Sequence, residues 1–182
     1  KKEEAQVKKM HSNILDKFKD FKKSIVFEPF IFIEISSQNL KLISKDKVLK
    51  SYSISSSKHG IGMQLNSNKT PIGGHIVSEK IGGGEKINTI FKGRVPTHVS
   101  ESNLYDANAD TITSRILWLE GLEEGFNKGG NLDSKNRYIY IHGTTHEDEI
   151  GTPTSNGCIR MKNIDVVELF EFVKLNTFVY IE

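Results

Sequence analysis

Cysteine is nearly absent from this sequence, which carries a single thiol, Cys158, in 182 residues. One cysteine excludes an internal disulfide and leaves either a buried inert thiol or a reactive one. Long hydrophobic runs are also missing, and none approaches the roughly 20 residues of a membrane span. The chain opens with Lys-Lys-Glu-Glu and shows no secretory signal. A mature or trimmed chain lacks one as well, so this absence does not argue for the cytoplasm.

A strong charge of either sign is lacking too. The net charge is +2, from 25 basic and 23 acidic side chains, which is too small to indicate a nucleic-acid partner. The basic excess lies in residues 1–23, which hold eight lysines and four acidic residues. With 36% hydrophobic and 26% charged residues, the composition is typical of a soluble globular protein of one domain.

The glycine-rich stretch at residues 56–98 has little periodicity. Its Gly82–Lys86 segment resembles a phosphate-binding loop but lacks the Gly-Lys-Ser/Thr ending. We therefore predict no nucleotide and no other cofactor. The stretch is interpreted as chain that turns sharply or approaches other surfaces closely.

The remaining chain predicts a mainly β fold with helices, of the α+β class. Apolar residues at spacings of three and four predict an amphipathic helix over residues 1–24, and Pro29 closes that segment. Short runs with polar turns predict an antiparallel meander of strands at 30–35, 40–44 and 48–55. Further along we predict strands at 111–120, 138–142 and 177–181, loops at 121–136 and 143–154, and a helix from 163 to about 175. Residues 1–27 form an N-terminal helical arm and residues 28–182 the main domain.

The chemistry is concentrated in residues 138–163. His142 ends a strand-like run, and Cys158 follows a Ser155-Asn156-Gly157 turn. A thiol close to a neutral imidazole can lose its proton and become a nucleophile near neutral pH. Attack on an amide carbonyl builds negative charge on oxygen, and backbone N–H groups at Asn156 and Gly157 could receive it. Arg160 could raise the local potential or hold a substrate carboxylate.

Other interpretations of these residues stay open at this point. His142 and His146, with the acidic residues 147–149, could form a metal site, but Gly143 and the threonines that follow disfavour the helix that such a pair requires. No metal is predicted. Arg160 could equally form a salt bridge within the fold, and Cys158 could be an inert core thiol. Ser155 or Thr154 as the nucleophile is weaker, since no partner arrangement favours either.

These residues resemble the L,D-transpeptidase (YkuD-type) catalytic domain of bacterial cell-wall enzymes. The family has a His-Gly, a loop, and then Ser/Thr-His-Gly-Cys with an apolar residue and Arg. The corresponding residues here are His142-Gly143-Thr144 and Ser155-Asn156-Gly157-Cys158-Ile159-Arg160. The family's upstream Thr-Pro-x-Gly corresponds to Thr70-Pro71-Ile72-Gly73. The resemblance covers roughly residues 28–182, with three blocks in the family's order.

The resemblance implies a mixed β-sandwich with one helix after the cysteine, Cys158 as nucleophile and His142 as its base. It implies an acyl-enzyme formed at the diaminopimelate–D-Ala bond of a peptidoglycan tetrapeptide stem, then transfer to an amine on another stem or on a wall-attached lipoprotein. The implied location is the periplasm or cell wall. Substrate contacts are expected from Arg160, Ser155, Gly143, Thr144, Tyr140, Thr70, Pro71 and Gly73. A surface or structural role is more consistent with His59, His75 and His146.

One position departs from the family, because Asn156 stands where its members usually have His. An asparagine can form hydrogen bonds but carries no proton at neutral pH. Acylation through Cys158 and His142 remains the expectation, while rate and acceptor choice are open. With water as acceptor the same site would be an L,D-carboxypeptidase, and without chemistry it would be a peptidoglycan-binding domain.

Overall fold

The computed structural model describes residues 1–22, 24–100 and 111–182, with the backbone alone for 98–100. Two α-helices lie in these ranges, α1 (Lys2–Phe18) and α2 (Asn163–Phe172). The strands are β1 (Val26–Glu34), β2 (Asn39–Ser44), β3 (Lys47–Ser55), β4 (Gly73–Ile81), β5 (Thr89–Lys92), β6 (Val95–Ser100), β7 (Ile112–Gly121), β8 (Tyr140–Thr144), β9 (Ile159–Met161) and β10 (Thr177–Ile181). The expected α+β class, mainly β, is confirmed.

The strands form one continuous sheet of ten strands, in the order β4-β10-β1-β2-β3-β9-β8-β7-β5-β6. The first eight strands of this order run from β4 to β7. An additional pairing of β4 with β7 joins these two strands, so this part of the sheet closes on itself. Two pairs are parallel, β1 with β10 and β8 with β9, and the other pairs are antiparallel. The sheet is therefore mixed, and the β5–β6 hairpin projects beyond the closed part.

The enclosed space holds the main apolar core. Successive side chains of a strand point to opposite faces, so alternate residues of each strand enter this space. β8 contributes Ile141 and β9 contributes Ile159 and Met161. The helix α2 contributes Val166 and Leu169 to this core, and both side chains are fully buried.

The helix α1 covers part of the outer surface of the sheet. Its last residue, Phe18, is fully buried and packs on Phe178 of β10 with ring centroids 5.1 Å apart. His11 of the same helix contacts Phe30 and Phe32 of β1. The predicted amphipathic helix thus packs against the domain, while the division of the chain at residue 27 stays a prediction.

The predicted helix over residues 1–24 is too long, and the strand predicted at 30–35 starts too late. The helix ends at Phe18, and β1 begins at Val26, whose N–H donates to the Asn176 carbonyl. Residue 23, within the predicted helix, lies outside the described residues. Pro29 lies inside β1 and not between two elements, in a segment where the pairing with β10 shifts register. A proline is tolerated there because its missing N–H breaks no regular ladder.

The glycine-rich stretch at 56–98 holds strands that its weak periodicity did not predict. β4 is one of them, and its glycines allow close contacts with other elements. A Cβ atom on Gly74 would lie 2.4 Å from the Phe18 ring, and one on Gly73 would lie 2.3 Å from the Glu123 carboxylate. β5 and β6 form a short hairpin at the sheet edge.

The other sequence-predicted elements are largely confirmed. The meander of β1, β2 and β3 is antiparallel with the expected turns. The strands at 112–121 and 177–181 and the helix after residue 162 are present, although the helix ends at Phe172. The strand predicted at 138–142 lies two residues later, at 140–144, because Tyr138 has a positive φ of +57° while residues 143 and 144, predicted as loop, pair with β7. No helix within the described ranges is both long and apolar enough to cross a membrane.

Replacing Phe18 with Ala should lower the free energy of unfolding by about 3 kcal/mol, because it empties a buried aromatic site between α1 and the sheet. Urea unfolding followed by circular dichroism measures this change. Val7→Ala is the matched control, since Val7 is 45% exposed on the same helix, and it should change stability by less than about 0.5 kcal/mol. Equal effects of the two substitutions would contradict the packing of α1.

Candidate active site

Strands β8 and β9 carry two chemically different faces. Ile141 of β8 pairs with Ile159 of β9, and both point into the main core. The next positions, His142 and Arg160, are also paired, and side chains paired in register point to the same face of a sheet. Cys158, two residues before Arg160, faces the same way. The polar residues of the central stretch therefore share the face opposite the core.

The thiol of Cys158 lies against the backbone of β8 and the residues before it. Its Sγ atom is 3.3 Å from the Tyr140 nitrogen and 3.3 Å from the Tyr138 carbonyl oxygen. The side chain is partly exposed and opens on a pocket of about 200 Å³. Polar residues dominate the lining, which comprises Leu65, Asn66, Asn68, Asn136, Arg137, Tyr138, Ile139, Asn156 and Cys158.

The imidazole of His142 is buried and held by its neighbour's backbone. Its Nδ1 atom is 2.5 Å from the Gly143 carbonyl oxygen. A carbonyl only accepts hydrogen bonds, so Nδ1 carries the proton and Nε2 carries the lone pair. The ring is thus fixed in the tautomer whose Nε2 can act as a base.

Buried hydroxyl groups shape the turn that leads to the thiol. Ser155 donates to the Cys158 carbonyl oxygen at 2.6 Å and accepts from the Gly157 N–H at 3.2 Å. Thr70 donates to the Gly157 carbonyl oxygen at 3.0 Å and accepts from the Ser57 N–H at 2.9 Å. Both side chains are fully buried, so in this structure they hold the turn, and their predicted contact with substrate stays a prediction.

Gly157 has φ +127°, a conformation that a residue with a Cβ rarely adopts. This explains the glycine of the Ser-Asn-Gly approach. The Gly157 N–H is engaged with Ser155, so it stabilises the turn here, and its role toward an oxyanion stays a prediction. Asn156 lines the pocket beside the thiol.

Arg160 forms the salt bridge that was the alternative interpretation of this residue. Its Nη1 atom lies 3.0 Å from the Glu149 carboxylate and 3.3 Å from the Thr154 hydroxyl. The side chain is only 3% exposed. The pair ties the loop before the thiol to β9, and binding of a substrate carboxylate by Arg160 stays a prediction.

The end of β8 is anchored by Asn163, the first residue of α2. Its side-chain amide donates to the Thr144 carbonyl oxygen at 2.8 Å and accepts from the hydroxyls of Thr113 and Ser114. Gly143 lies against the same amide, with no room for a Cβ. Gly143 and Thr144 are therefore buried supports of the His142 backbone in this structure.

The pattern of the YkuD family, described as the L,D-transpeptidase catalytic domain, matches residues 28–181. That range covers most of the chain and includes His142, the Ser-Asn-Gly turn and Cys158. The chain belongs to the YkuD family.

One relative is similar to part of this chain, and solved structures share its fold. YqjB of Bacillus subtilis (strain 168), named as a candidate L,D-transpeptidase, is 49% identical over 45 residues, which are 25% of this chain and 26% of that protein. An L,D-transpeptidase from Mycobacterium smegmatis aligns with a TM-score of 0.54 at 16% identity, over 85% of this chain and 58% of its own. L,D-transpeptidase 3 from Mycobacterium tuberculosis, solved with a faropenem-derived adduct, aligns with a TM-score of 0.54 at 13% identity, over 85% and 60%. This chain thus spans about three fifths of these solved chains.

Two members of the predicted site of this YkuD-family domain are not among the residues that line the thiol pocket. Pro71 is buried, and Gly73 lines a separate pocket of about 450 Å³ together with Lys17 and Glu123. Histidines behave as expected: His59 is exposed, His75 is buried, and His146 lies 3.7 Å from Glu149. Within the described ranges no three His, Cys, Asp or Glu side chains converge on one point.

Two arginines near the thiol were not identified from the sequence. Arg137 lines the pocket and donates to the carbonyl oxygens of Lys69, at 2.7 Å, and Gly62, at 3.2 Å. Arg94, from the β5–β6 turn, donates to the Tyr140 hydroxyl at 3.1 Å. Neither belongs to a local motif, because the contacts that bring both to the site come from distant parts of the chain.

Replacing Thr70 with Val should lower the free energy of unfolding by about 1–3 kcal/mol, because the Ser57 N–H and the Gly157 carbonyl both lose a buried partner. Chemical denaturation measures the change. Thr152→Val removes an exposed hydroxyl that donates to the Glu149 carbonyl, so as a control it should change stability by less than about 0.5 kcal/mol. A Thr70 variant as stable as this control would contradict the role assigned to Thr70.

Stability should fall between pH 7 and pH 5 because of His75. Burial lowers the pKa of His75 from 6.5 to about 4, and the ring is held by the Gly73 carbonyl and the Ser134 hydroxyl. In the unfolded chain the ring takes a proton near pH 6.5, whereas the folded protein resists protonation down to about pH 4, so acid favours unfolding in this window. The expected loss is about 2 kcal/mol, measured by denaturation at both pH values.

His75→Gln should remove this part of the pH dependence, even if its stability at pH 7 is lower. His59→Gln, which changes an exposed ring, should leave the slope as in the wild type. An unchanged slope in the His75 variant would show that other groups cause the acid sensitivity.

Proposed function

We propose that this YkuD-family domain is a cysteine acyltransferase that acts on peptidoglycan stem peptides. The observation that carries the proposal is the pairing of β8 with β9, which puts Cys158 and His142 on one face of the sheet. The contact of His142 Nδ1 with the Gly143 carbonyl keeps the proton on Nδ1, so Nε2 is the nitrogen that can act as a base. The pocket beside the thiol supplies room for a peptide.

The first half-reaction forms a thioester. His142 Nε2 takes the proton of the Cys158 thiol, and the thiolate attacks the carbonyl carbon of the diaminopimelate L-centre. The C–N bond to the terminal D-Ala then breaks. The imidazolium returns its proton to the departing nitrogen, so D-Ala leaves with a neutral amino group. The acyl group stays on the sulfur as a thioester.

The second half-reaction transfers the acyl group to an amine. The acceptor nitrogen attacks the thioester, its proton passes to His142, and the C–S bond breaks to restore the thiolate. An amine of a neighbouring stem gives a cross-link, and an amine of a lipoprotein gives attachment to the wall. Water in the same position gives a tripeptide, the carboxypeptidase outcome, and both outcomes use the same residues.

The charge of Arg137 supports thiolate formation. Burial of this guanidinium lowers its pKa, and the nearby Cys158 acts in the opposite direction by raising it. A cation that favours a neighbouring thiolate makes the thiol easier to deprotonate, because the two effects are reciprocal. Arg137 also fixes the 62–69 segment that carries Asn66 and Asn68 into the pocket.

The pocket beside the thiol is lined by amides, with Asn66, Asn68, Asn136 and Asn156 around it. Amide side chains both donate and accept, which suits the backbone of an extended peptide. Asn156 replaces the second histidine of the family at this place, so proton transfer in the proposal rests on His142 alone. A substrate of this kind places the protein at the cell wall, outside the cytoplasmic membrane, with a part in wall biogenesis and cell shape.

The decisive experiment incubates the protein with purified disaccharide-tetrapeptide and follows both by mass spectrometry. We expect an adduct on Cys158 with the mass of the donor less D-Ala, and none on Cys158→Ala. Dimers, or exchange of D-Ala for an added D-amino acid, identify transfer, whereas tripeptide identifies hydrolysis. Turnover by the Cys158 variant would refute the assigned nucleophile.

Faropenem is a useful active-site titrant, because a structural neighbour from Mycobacterium tuberculosis carries an adduct derived from it. Stoichiometric modification of Cys158 by faropenem, without any reaction with tetrapeptide, would show a reactive thiol with a different donor. Reaction with neither would favour the peptidoglycan-binding alternative.

A further inference from the structure

Arg94 occupies an unusual backbone position at the edge of the proposed active site. The β5–β6 hairpin turns through Gly93 and Arg94, with φ +53° and +66°. Two-residue hairpin turns with positive φ at both positions favour Gly, Asn or Asp, so an arginine at the second position is unexpected. Backbone strain of this type often accompanies function, and here it directs a charged side chain toward β8.

The guanidinium of Arg94 lies on an aromatic platform. Its central carbon is 4.9 Å from the centroid of Trp118 and 5.3 Å from that of Tyr138. These are distances at which aromatic rings attract a cation. Its Nη1 donates to the Tyr140 hydroxyl at 3.1 Å. The platform holds the flat guanidinium in one orientation, which reduces the entropy that a ligand would have to remove.

Two residues that contact Arg94, Tyr138 and Tyr140, also contact the sulfur of Cys158. The backbone N–H of Tyr140 and the carbonyl of Tyr138 are the groups 3.3 Å from Cys158 Sγ. The ring of Tyr140 spans the distance from that nitrogen to the hydroxyl that binds Arg94. Tyr140 therefore contacts the thiol through its backbone N–H and Arg94 through its hydroxyl, at the two ends of the same residue.

Arg94 has no carboxylate within salt-bridge distance among the residues that the structure describes. The other two arginines of the region are engaged, Arg160 with Glu149 and Arg137 with backbone carbonyls. Lys135, which also lies over Trp118, is paired with Glu79 at 3.7 Å. Among the described residues, Arg94 thus differs from these cations because it donates to the Tyr140 hydroxyl through Nη1 and forms no salt bridge.

We propose that Arg94 binds the side-chain carboxylate of diaminopimelate in the acyl donor, an inference that rests on the proposed function. A guanidinium binds a carboxylate through two parallel hydrogen bonds, and the bond from Arg94 to Tyr140 uses one of its five N–H donors. Because Arg94 and the thiol contact opposite ends of Tyr140, the more distant of the donor's two carboxylates is the expected ligand. That of the terminal D-Ala lies next to the scissile bond, whereas that of the diaminopimelate side chain lies at the end of an alkyl chain about as long as tyrosine.

The test compares acylation of Cys158 by three tetrapeptide donors: the free acid, the amide of the diaminopimelate side-chain carboxylate, and the amide of the terminal D-Ala. Arg94→Gln should lower kcat/KM about 10- to 100-fold with the free acid, mainly through KM, because a charge-assisted pair is lost. With the side-chain amide the variant and the wild type should agree within about threefold. The terminal amide should behave as the free acid does.

Lys92→Gln removes an exposed charge from the same hairpin and should leave all three donors unaffected. Arg94→Lys, which keeps the charge but loses the fork, should recover only part of the activity. A structural role of Arg94 would lower the rate equally with every donor, and that result would overturn the inference while the proposed function stands. So would a donor dependence that follows the terminal amide.

Failure of all three donors with the wild type would overturn the proposed substrate, and this inference with it. Faropenem titration of the same samples separates that case from an inactive preparation, because it reports the thiol without any stem peptide.

Discussion

The parallel pairing of β8 with β9 is the constraint on which the site depends. Parallel neighbours need a connection of a dozen residues or more, and the chain between His142 and Cys158 supplies one without a long helix. The pairing puts both residues on the outer face while Ile141 and Ile159 enter the core on the other side. A one-residue slip of the pairing would exchange the two faces. The register that buries the two isoleucines therefore also places His142 and Cys158 on the opposite face.

Around this pairing, the backbone near the thiol is held by buried hydrogen bonds. Thr70, Ser155 and Asn163 are each almost fully buried, and each bonds backbone atoms of the central stretch. Such groups are costly to leave unsatisfied, which makes the observed arrangement strongly preferred over nearby ones. Rigidity of this type suits a nucleophile that must meet a carbonyl at a defined angle.

Positive charge near the thiol is divided between two arginines in different environments. Arg137 is partly buried, donates to backbone carbonyls and lines the pocket that holds Cys158. Arg94 is partly exposed and lies over the rings of Trp118 and Tyr138. In the proposed mechanism the charge of Arg137 favours the thiolate of Cys158, and the charge of Arg94 binds the acyl donor.

The sequence alone determined the residues whose signal is local. The strand that contains His142, the glycine before Cys158 and the helix after residue 162 follow from alternation, turn chemistry and helical spacing, which depend on near neighbours. The end of α1 and the three strands between 73 and 100 were not predicted. The glycine-rich segment has little periodicity of its own, and its strands form by pairing with distant strands such as β7 and β10.

Only the tertiary structure decided which interpretation of each polar residue holds. Arg160 could bind substrate or form a salt bridge, and its contact with Glu149 settled what it does within the fold. Thr70 and Ser155 proved to hold the turn, and Arg94 proved to lie beside the site. The reason is physical: the partner of a polar side chain is set by pairing between strands far apart in sequence, on which local periodicity carries no information.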